Sequence, residues 1–376
     1  MQISYLDNSA TTKPCDQSIK LLNDALCNNW GNPSSLHSLG INAEDVMNSC
    51  KKAISSLISC REDELFFTSG GTEANNIAIM GAALSRAKRG NRIITTSFEH
   101  PSVLETVKAL ESKGMEVIYL KPQKNGAISL DELRKATTPN TILVSIMLVN
   151  NEIGAIQPVS DAVKIVKASG APALFHCDAV QGFGKLDIKV SSLGVDLMTF
   201  SGHKIHAPKG IGVLYKKKGV NIAPTIFGGG QQNGLRSGTE PVPLIAALEG
   251  AVKALPPIQQ HLVEIRKLRD LAAEKLTTLG ACINSPDDAL PYILNISLEG
   301  YRSETLLHFL DAKGVYVSSG SACSKGATSQ TLKALSLSAS RIDSALRISF
   351  SRYNTEADVV RLCDALEEAK QKIKRV

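Results

Sequence analysis

No apolar run in the sequence approaches the roughly 18 consecutive residues that span a bilayer, so no membrane partner is expected. Its opening residues, Met1-Gln2-Ile3-Ser4-Tyr5-Leu6-Asp7, hold no basic stretch followed by an apolar core. A secretory signal is therefore not expected, and a cytoplasmic location is. The eight cysteines, at 15, 27, 50, 60, 177, 282, 323 and 363, form no CxxC pair, and no Cys/His spacing suits zinc. Neither a disulfide framework nor a metal site is expected, and most of these cysteines should be small buried hydrophobes. A strong charge of one sign is lacking too. The net charge of +6 and pI near 8.8 are only mildly basic. The short clusters at 216–218 and 370–375 read as solvated surface, so direct nucleic-acid binding is not expected. Repeats and low-complexity segments are absent.

What is present is an ordinary globular composition, 43% hydrophobic and 21% charged over 376 residues. That length suits two α/β domains, or a large domain with a smaller one attached. Segments rich in β-branched residues at 64–68, 92–96, 116–120, 141–149, 173–177, 197–201 and 212–215 alternate with stretches of helical spacing, such as Val46, Cys50, Ile54 and Leu57. This alternation predicts an α/β fold with a mostly parallel seven-stranded sheet covered on both faces, and ligands beyond the carboxyl ends of its strands. From about Pro241 the pattern changes. A helix-rich stretch at 244–279 is interrupted by Pro256-Pro257, and strands are expected at 292–297, 315–318 and 346–350 before a terminal helix. These predict a smaller α+β domain, built from residues 1–14 and 251–376, on a large domain of residues 15–250.

Three motifs fall where strands end. Thr68-Ser69-Gly70-Gly71-Thr72-Glu73-Ala74-Asn75-Asn76 stands at a strand-to-helix turn. There small residues let N–H groups close on a phosphate, although a Gly-rich turn is often only a turn. Phe175-His176-Cys177-Asp178-Ala179-Val180-Gln181 ends an apolar strand; Asp178 is either a local cap or the partner of a protonated pyridine nitrogen. Ser201-Gly202-His203-Lys204 follows another apolar strand, a poor place for an idle charge and a good one for an amine that captures aldehydes.

In this order, the three motifs resemble the fold-type I pyridoxal-phosphate transferases. Further segments narrow the resemblance to the cysteine desulfurases of the NifS/IscS-like family. They are Tyr5-Leu6-Asp7-Asn8-Ser9-Ala10-Thr11-Thr12, Gly31-Asn32-Pro33-Ser34-Ser35-Leu36-His37, Glu99-His100-Pro101, Asn150-Asn151-Glu152-Ile153-Gly154, Arg236-Ser237-Gly238-Thr239-Glu240, Ser318-Ser319-Gly320-Ser321-Ala322-Cys323-Ser324 and Ala345-Leu346-Arg347-Ile348-Ser349. The chain departs from the family pattern at Ser9, at Lys325 and at Ser351, which stands where glycine is common.

The resemblance implies roles. Lys204 would hold the pyridoxal 5'-phosphate, Asp178 its ring nitrogen, and Gln181 and Asn151 the phenolic oxygen. His100 would stack on the ring and relay protons. Gly71, Thr72, Ser201 and His203 would cradle the phosphate, and Thr239 would reach the phosphate of a partner subunit, giving a homodimer with shared sites. Asn32 and Arg347 would bind the carboxylate of L-cysteine, and Cys323 would be the nucleophile. The sulfur would pass to an acceptor protein, an iron–sulfur scaffold or a tRNA-thiolation enzyme. Read as isolated residues, the plain alternatives are a helix cap for His100, a surface ion pair for Arg347 and a buried strand-end thiol for Cys323, the last disfavoured by the small polar residues around it. Another fold-type I aminotransferase or a selenocysteine lyase would share Lys204 and Asp178.

Overall fold

The computed structural model describes residues 3–319 and 329–375; Cys323 lies outside them. The strands in chain order are β1 (Ser4–Tyr5), β2 (Leu65–Thr68), β3 (Arg92–Thr96), β4 (Glu116–Leu120), β5 (Thr141–Ser145), β6 (Leu174–Asp178), β7 (Leu197–Ser201), β8 (Gly212–Lys216), β9 (Cys282–Ile283), β10 (Ile293–Ser297), β11 (Val315–Tyr316), β12 (Ser318–Ser319) and β13 (Ala345–Ser349). The seven from β2 to β8 form one sheet in the order β2-β8-β7-β6-β5-β3-β4. Only β8 runs against its neighbours, so the sheet is mostly parallel, as expected for an α/β fold.

Its inner strands are buried on both faces because apolar residues run through them without alternation, whereas the edge strand β4 is mostly half-buried. Leu197, Met198, Thr199 and Phe200 in β7 are all inaccessible to solvent. Phe200 stacks on Phe183 with ring centroids 3.9 Å apart, a pairing that contributes about 1 kcal/mol beyond area burial. The topology turns the carboxyl ends of β2, β3, β5, β6 and β7 to a single edge, where Thr68, Thr96, Ser145, Asp178 and Ser201 stand.

The expected strands form within a residue of their predicted ends, with one exception in this sheet. The segment 141–149 leaves the ladder at Ser145, yet Ile146 N–H still donates to His176 O and Leu148 N–H to Asp178 O. The extended backbone thus carries on towards Asn150 and Asn151 without regular pairing. The helical stretch at 244–279 is two helices, Val242–Lys253 and Ile258–Thr278, separated at the two prolines, which cannot continue a helical ladder.

A second, antiparallel sheet has the order β12-β13-β10-β9. The strand expected at 315–318 is divided: β11 pairs in parallel with β1, whereas β12 pairs with β13, placing Ser318 opposite Arg347. Residues near the chain start thereby join the late strands, and Asp7 bridges Ser349. Among the described cysteines, Cys15, Cys50, Cys177 and Cys363 are buried and Cys60 half-buried, as expected of most of them, while Cys27 and Cys282 are exposed. No described helix is long and apolar enough to cross a membrane.

Candidate active site

A cavity of about 320 Å3 opens at the carboxyl edge of the large sheet. Gly71, Thr72, His100, Asn151, Asp178, Gln181, Ser201, His203, Lys204 and Arg347 all line it, with Asn75, Ser102 and the Ser9-Ala10 backbone among their neighbours. Thr239 and Asn32 are not brought there within one chain; both are exposed, and the Asn32 side chain instead accepts from Ser34 N–H at 3.0 Å.

The floor is set by close backbone approach. A Cβ on Gly212 would lie 2.6 Å from the Gly70 backbone, and one on Gly71 would lie 2.9 Å from Val180 Cγ2. Glycine at both positions lets β8 and the Val180 turn press against the start of the helix Gly71–Arg86. The open N–H groups and dipole of that helix favour an anion beside Thr72, Ser201 and His203. Glu73 in its first turn accepts from Ser69 N–H at 2.7 Å and is gripped by Arg236, Nε to Oε1 at 2.6 Å. This anchors the segment that leads to Thr239.

Asp178, 6% exposed at the end of β6, is held on both oxygens. Val180 N–H donates to Oδ1 at 2.9 Å and Asn75 Nδ2 to Oδ2 at 2.8 Å. The local cap and the cavity wall are therefore one feature. Asn75 Nδ2 also donates to Ser102 Oγ at 2.8 Å, and Ser102 Oγ lies 2.8 Å from His100 Nδ1. His100 caps the helix Pro101–Glu111, accepting from Ser102 N–H at 3.1 Å through the same Nδ1. A backbone N–H can only donate, so Nδ1 is the acceptor and the ring hydrogen of the neutral imidazole sits on Nε2. Capping and facing the cavity are thus compatible uses of two nitrogens. Burial, partly opposed by Asp178 and reinforced by Lys204, holds His100 below the usual imidazole range.

Lys204 closes the short 3-10 turn Gly202–Lys204 directly after β7. Its Nζ donates to Ser9 O at 2.5 Å and Ala10 O at 2.8 Å. His203 Nδ1 lies 3.2 Å from Thr11 Oγ1; burial, with Lys204 beside it, takes its pKa down to about 4. His203 therefore faces the site neutral, as a hydrogen-bonding group and not a fixed charge. On the opposite wall Arg347, 3% exposed in β13, bonds Asp7 Oδ1 at 2.9 Å and Asn151 O at 3.1 Å, while its Nε has no partner. It is buried, which excludes the surface ion pair. Burial raises the Asp7 carboxyl against the opposing pull of Arg347.

Sequence reasoning missed Asn75, Ser102 and the role of Asp7. Asn75 and Asp7 lay inside motifs already singled out, but nothing local marks whom they contact. The donor set fits pyridoxal phosphate: a helix start for a dianionic phosphate, a carboxylate for a ring nitrogen, an imidazole wall and an amine. Asn75 Oδ1 and Arg347 Nε are buried without a partner, on two residues that line this cavity.

Residues 4–362 match the class-V aminotransferases. A cysteine desulfurase IscS of Methanosarcina thermophila is 40% identical over 377 residues, covering 99% of this chain and 93% of that protein. A solved NifS-like protein superposes with a TM-score of 0.93 at 38% identity, over 98% of this chain and 100% of the other. SspA, solved in complex with cysteine, gives 0.82 at 33% identity over 94% of this chain and 100% of its own. Matches of this extent place the chain in the class-V aminotransferase family and, within it, among the NifS/IscS cysteine desulfurases.

Proposed function

We propose that the chain is a pyridoxal-phosphate-dependent cysteine desulfurase, which converts L-cysteine to L-alanine and leaves the sulfur as a persulfide on Cys323. The observation that carries this reading is the meeting of Lys204, Asp178, His100 and Arg347 around one cavity beside an anion-binding helix start. Pyridoxal phosphate, when bound, supplies an electron sink for the carbanion formed at the substrate Cα. Gly71, Thr72, Ser201 and His203 would bind its phosphate, and Asp178 would keep a proton on its ring nitrogen. Gln181 and Asn151 would border the phenolic oxygen, with His100 stacked on the ring.

The chain's own groups then divide the work. Arg347 grips the cysteine carboxylate with a planar fork of donors, exchanging Asp7 for the substrate anion. Lys204 holds the cofactor and afterwards moves the Cα proton; the Ser9 and Ala10 carbonyls orient its Nζ. His100 offers its Nε2 hydrogen to the reacting groups. Cys323, as a thiolate, attacks the substrate sulfur. A sulfur–sulfur bond forms as the carbon–sulfur bond breaks, the electron pair returns to carbon, and protonation gives alanine. The persulfide then passes to an acceptor protein, an iron–sulfur scaffold or a tRNA-thiolation enzyme.

The exposed positions of Thr239 and Asn32, outside the single-chain cavity, support a homodimer in which they serve sites at the partner boundary. The pairing of β1 with β11 and of Asp7 with Ser349 supports grouping residues 1–14 with 251–376 as the smaller domain.

The test is incubation of the purified chain with L-cysteine and pyridoxal phosphate under reductant, with alanine and sulfide measured together and Cys323→Ser alongside. Equal yields from the wild type and neither product from the variant are expected. A variant as active as the wild type would remove Cys323 from the chemistry.

A further inference from the structure

Directly after Asn151, on the wall of the catalytic cavity, stands a carboxylate that the chemistry above does not use. Glu152 Oε2 accepts from Ser329 Oγ at 2.5 Å, and Glu152 Oε1 from Thr331 Oγ1 at 2.8 Å. Both hydroxyls belong to buried residues, 6% and 3% exposed. Each also receives an N–H group: Leu332 N–H donates to Ser329 Oγ at 3.0 Å, and Asn150 Nδ2 to Thr331 Oγ1 at 3.4 Å. The Asn150 amide has one orientation, because its Oδ1 accepts from Glu152 N–H at 2.9 Å and Ile153 N–H at 3.0 Å. With their oxygens so engaged, the two hydroxyls turn their hydrogens toward a pair of acceptor oxygens side by side. A carboxylate supplies two; the amide of glutamine supplies one.

The short helix Gln330–Ala334 has another anchor. Leu332 packs with Ile153, Ala155 and Ala345 in a small apolar cluster, which seats the helix on this wall. Burial raises the Glu152 carboxyl against the pull of Ser329, Thr331 and Arg347, so an anion is kept where burial disfavours it. What the carboxylate adds is a fixed position. Ser329 stands six residues after Cys323, and Ser318, five residues before it, pairs with Arg347 across β12 and β13. Arg347 in turn donates to Asn151 O at 3.1 Å. On both sides of Cys323 the chain is thus tied beside the arginine that grips the substrate carboxylate. A chain spans at most about 3.5 Å per residue, so the Ser329 anchor limits the reach of Cys323 to about 20 Å.

We propose that Glu152 is a positioning residue for the sulfur-transfer step: its carboxylate fixes Ser329 and Thr331, and through them the ground from which Cys323 reaches the substrate sulfur. This rests on the reading of Cys323 as the nucleophile of a pyridoxal-phosphate site. Glu152 itself touches neither the cofactor nor the reacting atoms in this role. Its effect is on geometry, and a displacement of about 1 Å at a reacting group is enough to slow a step about 100-fold.

The experiment uses the cofactor-loaded chain and L-cysteine labelled in its sulfur, without reductant, and follows label bound to Cys323 by rapid quenching. The change in the cofactor's absorption on adding L-cysteine is recorded in the same samples. Glu152→Ala is expected to slow labelling about 10- to 100-fold, and Glu152→Gln and Thr331→Val about 3- to 10-fold. Pyridoxal-phosphate affinity and the absorption change should stay at the wild-type values. In a Cys323→Ala background, adding Glu152→Ala should leave the absorption change as it is in Cys323→Ala alone. Labelling at the wild-type rate in Glu152→Ala overturns the proposal. So does a further loss of the absorption change in the Cys323→Ala background, because a residue that merely shapes the cofactor site would give that result. If Glu152→Ala does not fold, Thr331→Val, which removes one hydroxyl at nearly constant volume, carries the same test. A wild-type chain that takes no label on Cys323 overturns the desulfurase reading and this inference together, whereas unslowed labelling in the variants overturns the inference alone.

Discussion

Lys204 borders two cavities of opposite electrostatic design. In the larger one, charge is met by a nearby partner: Asp178 by Asn75 and the Val180 N–H, Arg347 by Asp7. In the smaller one, Lys185 and Arg352 share space with His206 and His261, and no described residue lining it is acidic. The first arrangement preserves shape, because each side chain is tied to a specific acceptor or donor. In the second, burial lowers Lys185 and His206, and a carboxylate from outside the lining, Glu264 Oε2, stands 3.1 Å from His261 Nδ1. The two cavities thus handle charge differently on adjoining sides of a single lysine.

Substitutions should separate the two designs by the size and kind of their effects. Lys204→Ala removes the residue common to both cavities; alanine formation should fall by about 1,000- to 10,000-fold, measured by amino-acid analysis, and the cofactor band should vanish. Asp178→Asn keeps the shape of the larger cavity but loses its charge. Its rate should drop about 100- to 1,000-fold, with the protein folded by circular dichroism. Arg347→Lys retains charge but not the fork, so KM for L-cysteine should rise about 10- to 100-fold while kcat changes little. Equal losses in kcat and KM would show that Arg347 shapes the site more than it grips substrate.

Smaller effects follow at the periphery. Asn75→Ala frees an oxygen of Asp178 and unties Ser102 from it, and a fall in kcat of about 10-fold with cofactor still bound is expected from the loss of buried hydrogen bonds. The last prediction concerns stability. His176, His203 and His206 are each held near 4, chiefly by burial, so the folded chain binds fewer protons than the unfolded one between about pH 4 and 6.5. These three histidines should make stability rise with pH up to about 6.5 and fall as acid is added. Glu99, raised to about 8 by burial, acts in the opposite sense from about pH 4.5 to 8, but as a single group it is outnumbered below pH 6.5. Melting temperatures of the cofactor-free chain across this range check the sign, and a flat profile would contradict it.

The fold and the walls of the larger cavity were legible because they depend on local signals. Apolar runs mark buried strands, small residues mark turns, and a charge directly after an apolar strand stands at a sheet edge. Lys204, Asp178 and the Gly71-Thr72 turn were found in that way. Partnerships were not legible. Asp7 and Arg347 are 340 positions apart, and Gln181 finds its carbonyl at Ser9, so no periodicity links them. Lys185 was overlooked because a lysine after a glycine looks like surface; only tertiary burial makes it unusual. Asn32 and Thr239, given roles by resemblance, remain outside the cavity of one chain, since that cavity is built from sheet ends they do not adjoin.

The strap formed by residues 4–12 has a consequence in time. Its carbonyls hold Lys204, and Asp7 and Ser9 meet Arg347 and Ser349. During synthesis this segment leaves the ribosome 340 positions ahead of its partners at 347 and 349. A nascent chain therefore cannot assemble this frame until Arg347 and Ser349 have emerged. Truncated products should carry the reactive amine without the frame that orients it, and so be inert toward cellular cysteine.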